Sequence, residues 1–327
     1  MSRYDVQVTR YSGQSQEDLS ELFFEYTNGR YCADWSLDVR VAQRLERERL
    51  FAFLQRNAAS SWVAMQGGRV LGVLGLQKSV WDTVFWGINY ISVDHLYSCA
   101  LEEDFKKYIM GKLVDAADEW CRDEKVDFAQ ARPDVFDLPG IQALEDHGFR
   151  YIETTVTNSY DLRRMAECPA VDYLIRNARP DEVNLLAGIA RDAFPTHRFY
   201  ADKRFPKEKV DAMYWEWIRS SVESTAWTTI VLEAEGKVRG YFVYRIEDLT
   251  DYFGLRFVKW RSAALAPNEI GKGYGVPLFQ GAMQYVRGQA EVVDSGLTIR
   301  NVRSFNLHNK LGFRILCSSV TLHKWYS

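Results

Sequence analysis

Three glycines at alternate positions, Gly271, Gly273 and Gly275, stand in the stretch ALAPNEIGKGYGVPLFQ (264–280), between a strand-like run and an apolar helical pattern. Glycine accepts positive φ and lets a ligand approach the main chain, so successive amides can converge on one anion. The segment that follows places Val276, Phe279, Met283 and Val286 on one helical face, and a helix N-terminus adds partial positive charge at the same spot. Pro277 suits a first turn, where its missing N–H has no intrahelical partner. The chemistry this favours is the holding of a phosphate or pyrophosphate. On the glycines alone a plain tight connection fits equally, because the string is not the dinucleotide fingerprint GxGxxG. The five cysteines (Cys32, Cys99, Cys121, Cys168, Cys317) are scattered, with no CxxC pair and no metal-ligand spacing. They read as reduced, mostly buried thiols, and no metal is expected.

The elements that must position such a loop come in two copies. SSWVAMQGGRVLGVLGLQ around Gly72 resembles TAWTTIVLEAEGKVRGYFVYR around Gly240, and LEDHGFRYIETTVTNSYDL around Phe149 resembles HNKLGFRILCSSVTLHKW around Phe313. The offsets, 240 − 72 = 168 and 313 − 149 = 164, nearly agree. A period of that size is a duplicated domain, since solenoid repeats span about 20–50 residues. Each copy reads as a strand, one or two amphipathic helices, a strand meander, a helix, a strand, a helix and a closing strand: a mixed α/β fold. The expected division is 1–165 and 170–327, with the break in the polar stretch around Pro169. A chain of 327 residues suits two domains.

Composition narrows the partners. Forty-one basic against 44 acidic side chains give a net charge of −3, without the basic field that nucleic acid requires. The start of the chain lacks a signal-peptide layout, and no apolar run approaches the ~20 residues of a membrane span. A cytoplasmic protein is expected.

The order strand, GKGYG, helix, strand, Asn301, helix, KLGF resembles the GNAT family of acyl-CoA-dependent N-acyltransferases. The resemblance implies two tandem GNAT-like domains, with the second catalytic and acetyl-CoA as cosubstrate. It places the pyrophosphate on Gly271, Lys272, Gly273, Tyr274 and Gly275, and the pantetheine beside Asn301. Ile270 stands where the family usually has Arg or Gln, which removes one side-chain contact and no backbone donor. The general-acid tyrosine of the family falls on His308, whose ordinary pKa near ~6.5 allows either proton state. Tyr241 and Tyr244, on the strand after Gly240, are the reserve donors. The first copy lacks the glycine loop, with Asp137 at the Asn position and Leu144 at the Tyr position. It reads as a degenerate domain, a scaffold contributing part of the acceptor site.

SVWDTVFWGINY and ARDAFPTHRFYADKRFPKEKVDAMYWEWIRSSV carry a nearer resemblance, to the TDP-4-amino-4,6-dideoxyhexose acetyltransferases of that family. It implies a TDP-linked amino sugar as acceptor. The loop between two helices supplies His197, Arg198, Phe199 and Tyr200; a guanidinium suits a diphosphate and an aromatic face suits a thymine or sugar ring. Trp81 and Phe85 are further substrate candidates. The alternative for all these aromatics, Phe205 and Trp86 included, is plain packing.

The mechanism expected is direct attack of a neutral amine on the thioester, with an amide near Leu265 or Ala266 stabilising the oxyanion. Glu233, Asp248 and Asp251 are base candidates by strand position. Other readings are acyl transfer to another small amine, a peptide N-terminus or a thiol-sugar precursor, and a non-catalytic CoA-binding regulator. Homodimerisation is left open.

Overall fold

The computed structural model describes residues 5–19, 22, 29–166, 173–195 and 197–326; Cys168 and Pro169 lie outside them. In chain order the elements are β1 (Gln7–Arg10), α1 (Val39–Arg56), β2 (Ser61–Gln66), β3 (Arg69–Lys78), α2 (Val80–Trp86), β4 (Tyr90–Ser98), α3 (Glu103–Asp123), β5 (Phe128–Ala131), α4 (Leu138–Asp146) and β6 (Arg150–Asp161). There follow β7 (Leu174–Asn177), α5 (Val183–Ala193), α6 (Arg198–Ala201), α7 (Lys207–Glu223), β8 (Thr228–Ala234), β9 (Lys237–Leu249), α8 (Thr250–Phe253), β10 (Leu255–Leu265), α9 (Gly275–Val286), β11 (Val292–Thr298), α10 (Val302–Lys310) and β12 (Arg314–Trp325).

Two compact units result, one of Met1–Thr154 with Ser318–Ser327 and one of Thr155–Cys317. In unit 1, β1 to β4 form an antiparallel meander, β4 pairs with β5 in parallel, and the end of β12 closes the sheet against β5. Unit 2 repeats the plan: β7 to β10 are antiparallel, β10 pairs with β11 in parallel, and the Thr155–Asp161 part of β6 closes on β11. The closing strands are thus exchanged between the sequence repeats. Their registers match: Ala131 faces Leu322 in one unit and Ser295 faces Asn158 in the other, with 131 and 295 separated by 164, as are 158 and 322.

The repeated glycines have a steric reason. A Cβ on Gly240 would sit 2.6 Å from the Ala264 carbonyl oxygen, and one on Gly72 would sit 3.0 Å from that of Tyr97. Neither strand admits a side chain there. Helix ends repeat bond for bond, with Phe149 N–H on the Leu144 carbonyl and Phe313 N–H on that of His308.

Each sheet buries apolar side chains on both faces. In unit 1 Leu74, Leu76 and Ile91 pack with Ile109 and Leu113 of α3, while Val63 and Val73 pack with Leu50, Phe53 and Leu54 of α1. In unit 2 Phe242, Tyr244, Val258 and Val293 pack with Leu278, Phe279 and Met283 of α9. Residues alternate across a strand, so Tyr241, Val243 and Arg245 point to the opposite face. Among the described residues no helix is long and apolar enough to cross a membrane, and no group of three His, Cys, Asp or Glu could hold a metal ion.

Candidate active site

β10 and β11 begin as neighbours and then part. Their parallel pairing runs from Phe257–Val292 to Trp260–Ser295 and stops, although β10 continues to Leu265 and β11 to Thr298. A bulge at Arg261, skipped between Trp260 and Ser262 in the pairing with β9, turns the strand at the point of divergence. Beyond it, the Ala266 N–H donates to the Arg239 carbonyl at 2.8 Å. Alternation then aims the amides of Ala263 and Leu265 away from β9, into the space β11 has left. The two oxyanion candidates are therefore separated: the amide of Ala266 is engaged, and that of Leu265 is directed at the gap.

The strand feeds a 3₁₀ turn (Pro267–Glu269) and then the glycine loop. Gly271 and Gly273 adopt φ of +86° and +91°, and a Cβ on either would meet nothing within 4 Å. Backbone conformation, not crowding, requires glycine there. The amides of Gly271, Gly273, Tyr274, Gly275 and Val276 donate to no described protein group; the nearest donors in use are Lys272 to Glu269 and Leu278 to Tyr274. Gly275 opens α9, whose first turn carries no acid. Below the loop, Arg239 of β9 grips the buried Glu269 at 2.7 Å, with Lys272 at 3.5 Å from the same carboxylate and the Tyr274 ring 5.4 Å from the guanidinium. Burial works to raise Glu269, but Arg239 and then Lys272 hold it below the usual carboxylate range. This ion pair fixes the loop to the sheet. Ile270 is 51% exposed and adds no polar contact.

Asn301 caps α10, its side-chain oxygen accepting from the Ser304 N–H at 3.2 Å. Asp137 does the same for Gly140 in unit 1. One helical face along, His308 is only 1% exposed. Its Nδ1–H donates to the Ser304 carbonyl at 2.7 Å, and its Nε2 lies 2.8 Å from the Ser295 hydroxyl, which donates to it. Rings of Trp260, Phe279 and Phe313 surround it. Burial depresses its pKa, favouring the neutral ring. In that tautomer the proton faces a carbonyl inside the core.

The reserve tyrosines are enclosed as well. Tyr241 shares a 2.8 Å hydrogen bond with Ser262 and is fully buried, and the Tyr244 hydroxyl donates to Gln289 at 3.4 Å. Burial pushes both phenols up. The base candidates are engaged elsewhere or exposed: Glu233 accepts from Arg176, Asp248 accepts from the Thr250 N–H and hydroxyl, and Asp251 lies on the surface.

Of the acceptor candidates, Phe199 is completely buried against Phe205, with ring centroids 4.8 Å apart. Arg198 lies over the Phe199 ring and donates to Nε2 of His197 at 2.7 Å. Trp81, 40% exposed, stacks parallel on Phe85 in α2, which belongs to unit 1. The glycine loop, Leu265, Asn301, His308, Tyr241, Tyr244 and the His197–Phe199 segment all belong to unit 2. Sequence reasoning missed the Arg239–Glu269 clamp and the bulge at Arg261.

The site thus consists of a parallel strand pair that opens and, after it, a loop at a helix N-terminus whose amides have no partner among the described residues. Residues 186–313 match the acetyltransferase (GNAT) family. Over 293 residues, 87% of this chain and 97% of the relative, the sequence is 20% identical to the spore coat polysaccharide biosynthesis protein SpsD of Bacillus subtilis (strain 168). The fold is shared with a GCN5-related N-acetyltransferase from Sphaerobacter thermophilus (TM-score 0.63, 14% identity, 99% of this chain and 96% of that one). It is shared too with a tandem GNAT protein from the clavulanic acid biosynthesis pathway (TM-score 0.53, 15% identity, 98% of each chain). A glucosamine N-acetyltransferase region of a fungal multi-domain GH3 β-N-acetylglucosaminidase aligns with 98% of this chain and 38% of that one (TM-score 0.63, 15% identity). The fold is therefore the mixed α/β fold of tandem GNAT proteins.

Proposed function

We propose that unit 2 transfers an acetyl group from acetyl-CoA to the amino group of a nucleotide-linked amino sugar. The observation that carries this is the opening of β10 from β11 at Trp260 and Ser295, leading into five amides without a partner among the described residues. The residues fit the cosubstrate: the amides of residues 271, 273, 274, 275 and 276, with the α9 dipole, would hold its diphosphate, and the freed edge of β10 would lie along its pantetheine. Acetyl-CoA supplies the activated acyl carbon. Leu265 contributes an amide hydrogen to the oxygen of the tetrahedral intermediate. Asn301 orders the start of α10. His308, neutral and inside the core, positions that helix against Ser295 and is not the proton donor in this reading; the leaving thiolate takes its proton from solvent or from the amine.

The sugar acceptor rests on SpsD, whose name places it in polysaccharide biosynthesis, and on the glucosamine N-acetyltransferase region. The catalytic part is assigned to the second sequence repeat, and the first, without a glycine loop, is assigned no cosubstrate. Thiol release from acetyl-CoA, followed with a panel of 3-amino and 4-amino TDP-sugars and simple amines, tests the proposal. Turnover confined to the nucleotide sugars is expected. Turnover only with simple amines would remove the sugar, and tight acetyl-CoA binding without turnover on any amine would leave a regulatory protein.

A further inference from the structure

Three arginines of unit 2, Arg198, Arg245 and Arg261, pair with no carboxylate among the described residues, whereas Arg176, Arg219 and Arg239 each hold two and Arg256 holds one. Two of the three share a ring. Arg261 lies 4.8 Å and Arg245 5.2 Å from the centroid of the Trp227 indole. Arg261 also reaches the Trp217 ring at 5.5 Å and donates to the Ser221 hydroxyl at 3.4 Å. An indole face attracts each cation, but it does not cancel the repulsion between them. Burial and the nearby Arg245 both make the Arg261 guanidinium less basic than usual. An anion between the two would relieve both effects.

The location is informative. Arg261 is the bulge residue of β10, at the point where β11 departs and just ahead of the Leu265 amide. The bulge of β4 in unit 1 falls on Asp94, a charge of opposite sign. Arg198 has a buried Nε with no partner, and the ring of its neighbour His197 lies 6.1 Å from that of Trp217. Arg245 and Arg261 thus lie on β9 and β10, on the face of the sheet opposite α9, and Arg198 lies on the short α6.

We propose that Arg245 and Arg261, held against Trp227, bind a phosphate or diphosphate group of the acceptor, so that the molecule acetylated carries its amine and this anion together. Planar guanidinium forks match phosphate oxygens in pairs, and no local carboxylate has to be displaced first. The proposal rests on the acetyl-transfer reading for the placement of the acyl group beside Leu265, and it supplies the class of acceptor.

The test is isothermal titration of the whole chain, saturated with CoA so that the glycine loop is filled, with inorganic pyrophosphate, thymidine diphosphate and succinate. Pyrophosphate and thymidine diphosphate are expected to bind. Arg245→Gln and Arg261→Gln should each weaken them about tenfold, and the double variant should do so about a hundredfold, with CoA affinity unchanged. Unaltered binding in both variants, no binding of either phosphate compound to the unsubstituted chain, or a preference for succinate would overturn the proposal. Should Arg261→Gln unfold the chain, Arg245→Gln alone decides. The titration is repeated on Gly273→Val without CoA: retained binding separates this site from the glycine loop, so a failure of CoA binding and a failure of the arginine pair are told apart.

Discussion

The two units join their fourth meander strand to the following helix in opposite ways. In unit 1, β4 passes into α3 through residues 99–102, where Cys99 N–H donates to the Leu71 carbonyl and Ala100 N–H to the Ser98 hydroxyl. The helix then opens with Glu103 and Asp104, acids that already answer its dipole and repel a diphosphate. In unit 2, residues 266–274 intervene, five amides through Val276 have no partner among the described residues, and the first turn of α9 has no acid. At the end of α4 and of α10 the repeats agree in a single hydrogen bond, Phe149 N–H to the Leu144 carbonyl and Phe313 N–H to that of His308. Under the proposed acetyl transfer, an anion site is made or lost in one connection, by its length, its glycines and the sign of the first helical turn, while the order and direction of the strands around it are kept.

The comparison is broken most severely by cutting the chain between the repeats. Residues 1–165 and 166–327 made separately leave β5 without Leu322–Trp325 and β11 without Thr155–Asp161. Neither piece is expected to show a cooperative thermal transition, and co-expression is expected to restore one; a piece 166–327 that melts cooperatively alone would contradict the exchange of closing strands. Next in size is Gly273→Val. A β-branched residue at φ +91° is strained, so the loop is remodelled. Acetyl-CoA affinity by calorimetry should fall at least about a hundredfold, whereas the open surroundings leave the fold intact.

Arg239→Met removes the partner of the buried Glu269 and unfastens the same loop from β9. About a tenfold loss of acetyl-CoA affinity with a lower melting temperature is expected; a change in one without the other would mean that the clamp does not couple them. A pH titration sharpens the comparison, because each unit holds a histidine whose charged form its surroundings disfavour. Burial lowers His95 of unit 1 to about 4 and depresses His308 of unit 2. Unfolded, both titrate near ~6.5. Below that pH the unfolded chain gains protons that the folded chain refuses, so stability is full above about 6.5 and declines as pH falls, for His95 down to about 4. His95→Gln and His308→Gln should each flatten the acid-side fall in melting temperature, and a profile unchanged by either would place the loss elsewhere. The smallest effect is expected from Ile270→Arg. It adds a cation beside the loop at an exposed position, and a roughly two- to fivefold tightening of acetyl-CoA at low salt would measure it.

What the sequence disclosed were the places where geometry leaves little choice of residue. Gly72 and Gly240 repeat because a facing carbonyl blocks a side chain, and Gly271 and Gly273, which have no counterpart in the first repeat, are glycines because their φ is positive. Asp137 and Asn301 repeat because each caps a helix. The exchange of β6 and β12 was not visible, since a closing strand carries the same alternation whichever sheet receives it. Nor was the Arg239–Glu269 pair, whose members are 30 residues apart and both charged, a pattern shared by any exposed loop. His308 looked titratable because a helical position does not reveal that Trp260 and Phe279, from a strand and another helix, close over its ring. Trp227, Arg245 and Arg261 come from three segments spanning 34 residues (261 − 227), and a lone arginine in sequence looks like any solvated one.

The row of unanswered amide hydrogens at Gly271–Val276 has a practical side for whoever handles this protein. Sulfate, inorganic phosphate and citrate are small enough to occupy it, and they would stand in the way of the nucleotide end of the cosubstrate. Kinetic constants gathered in phosphate buffer would carry that competition silently, and the same reaction followed in an amine buffer with chloride would run at a lower half-saturating concentration of acetyl-CoA.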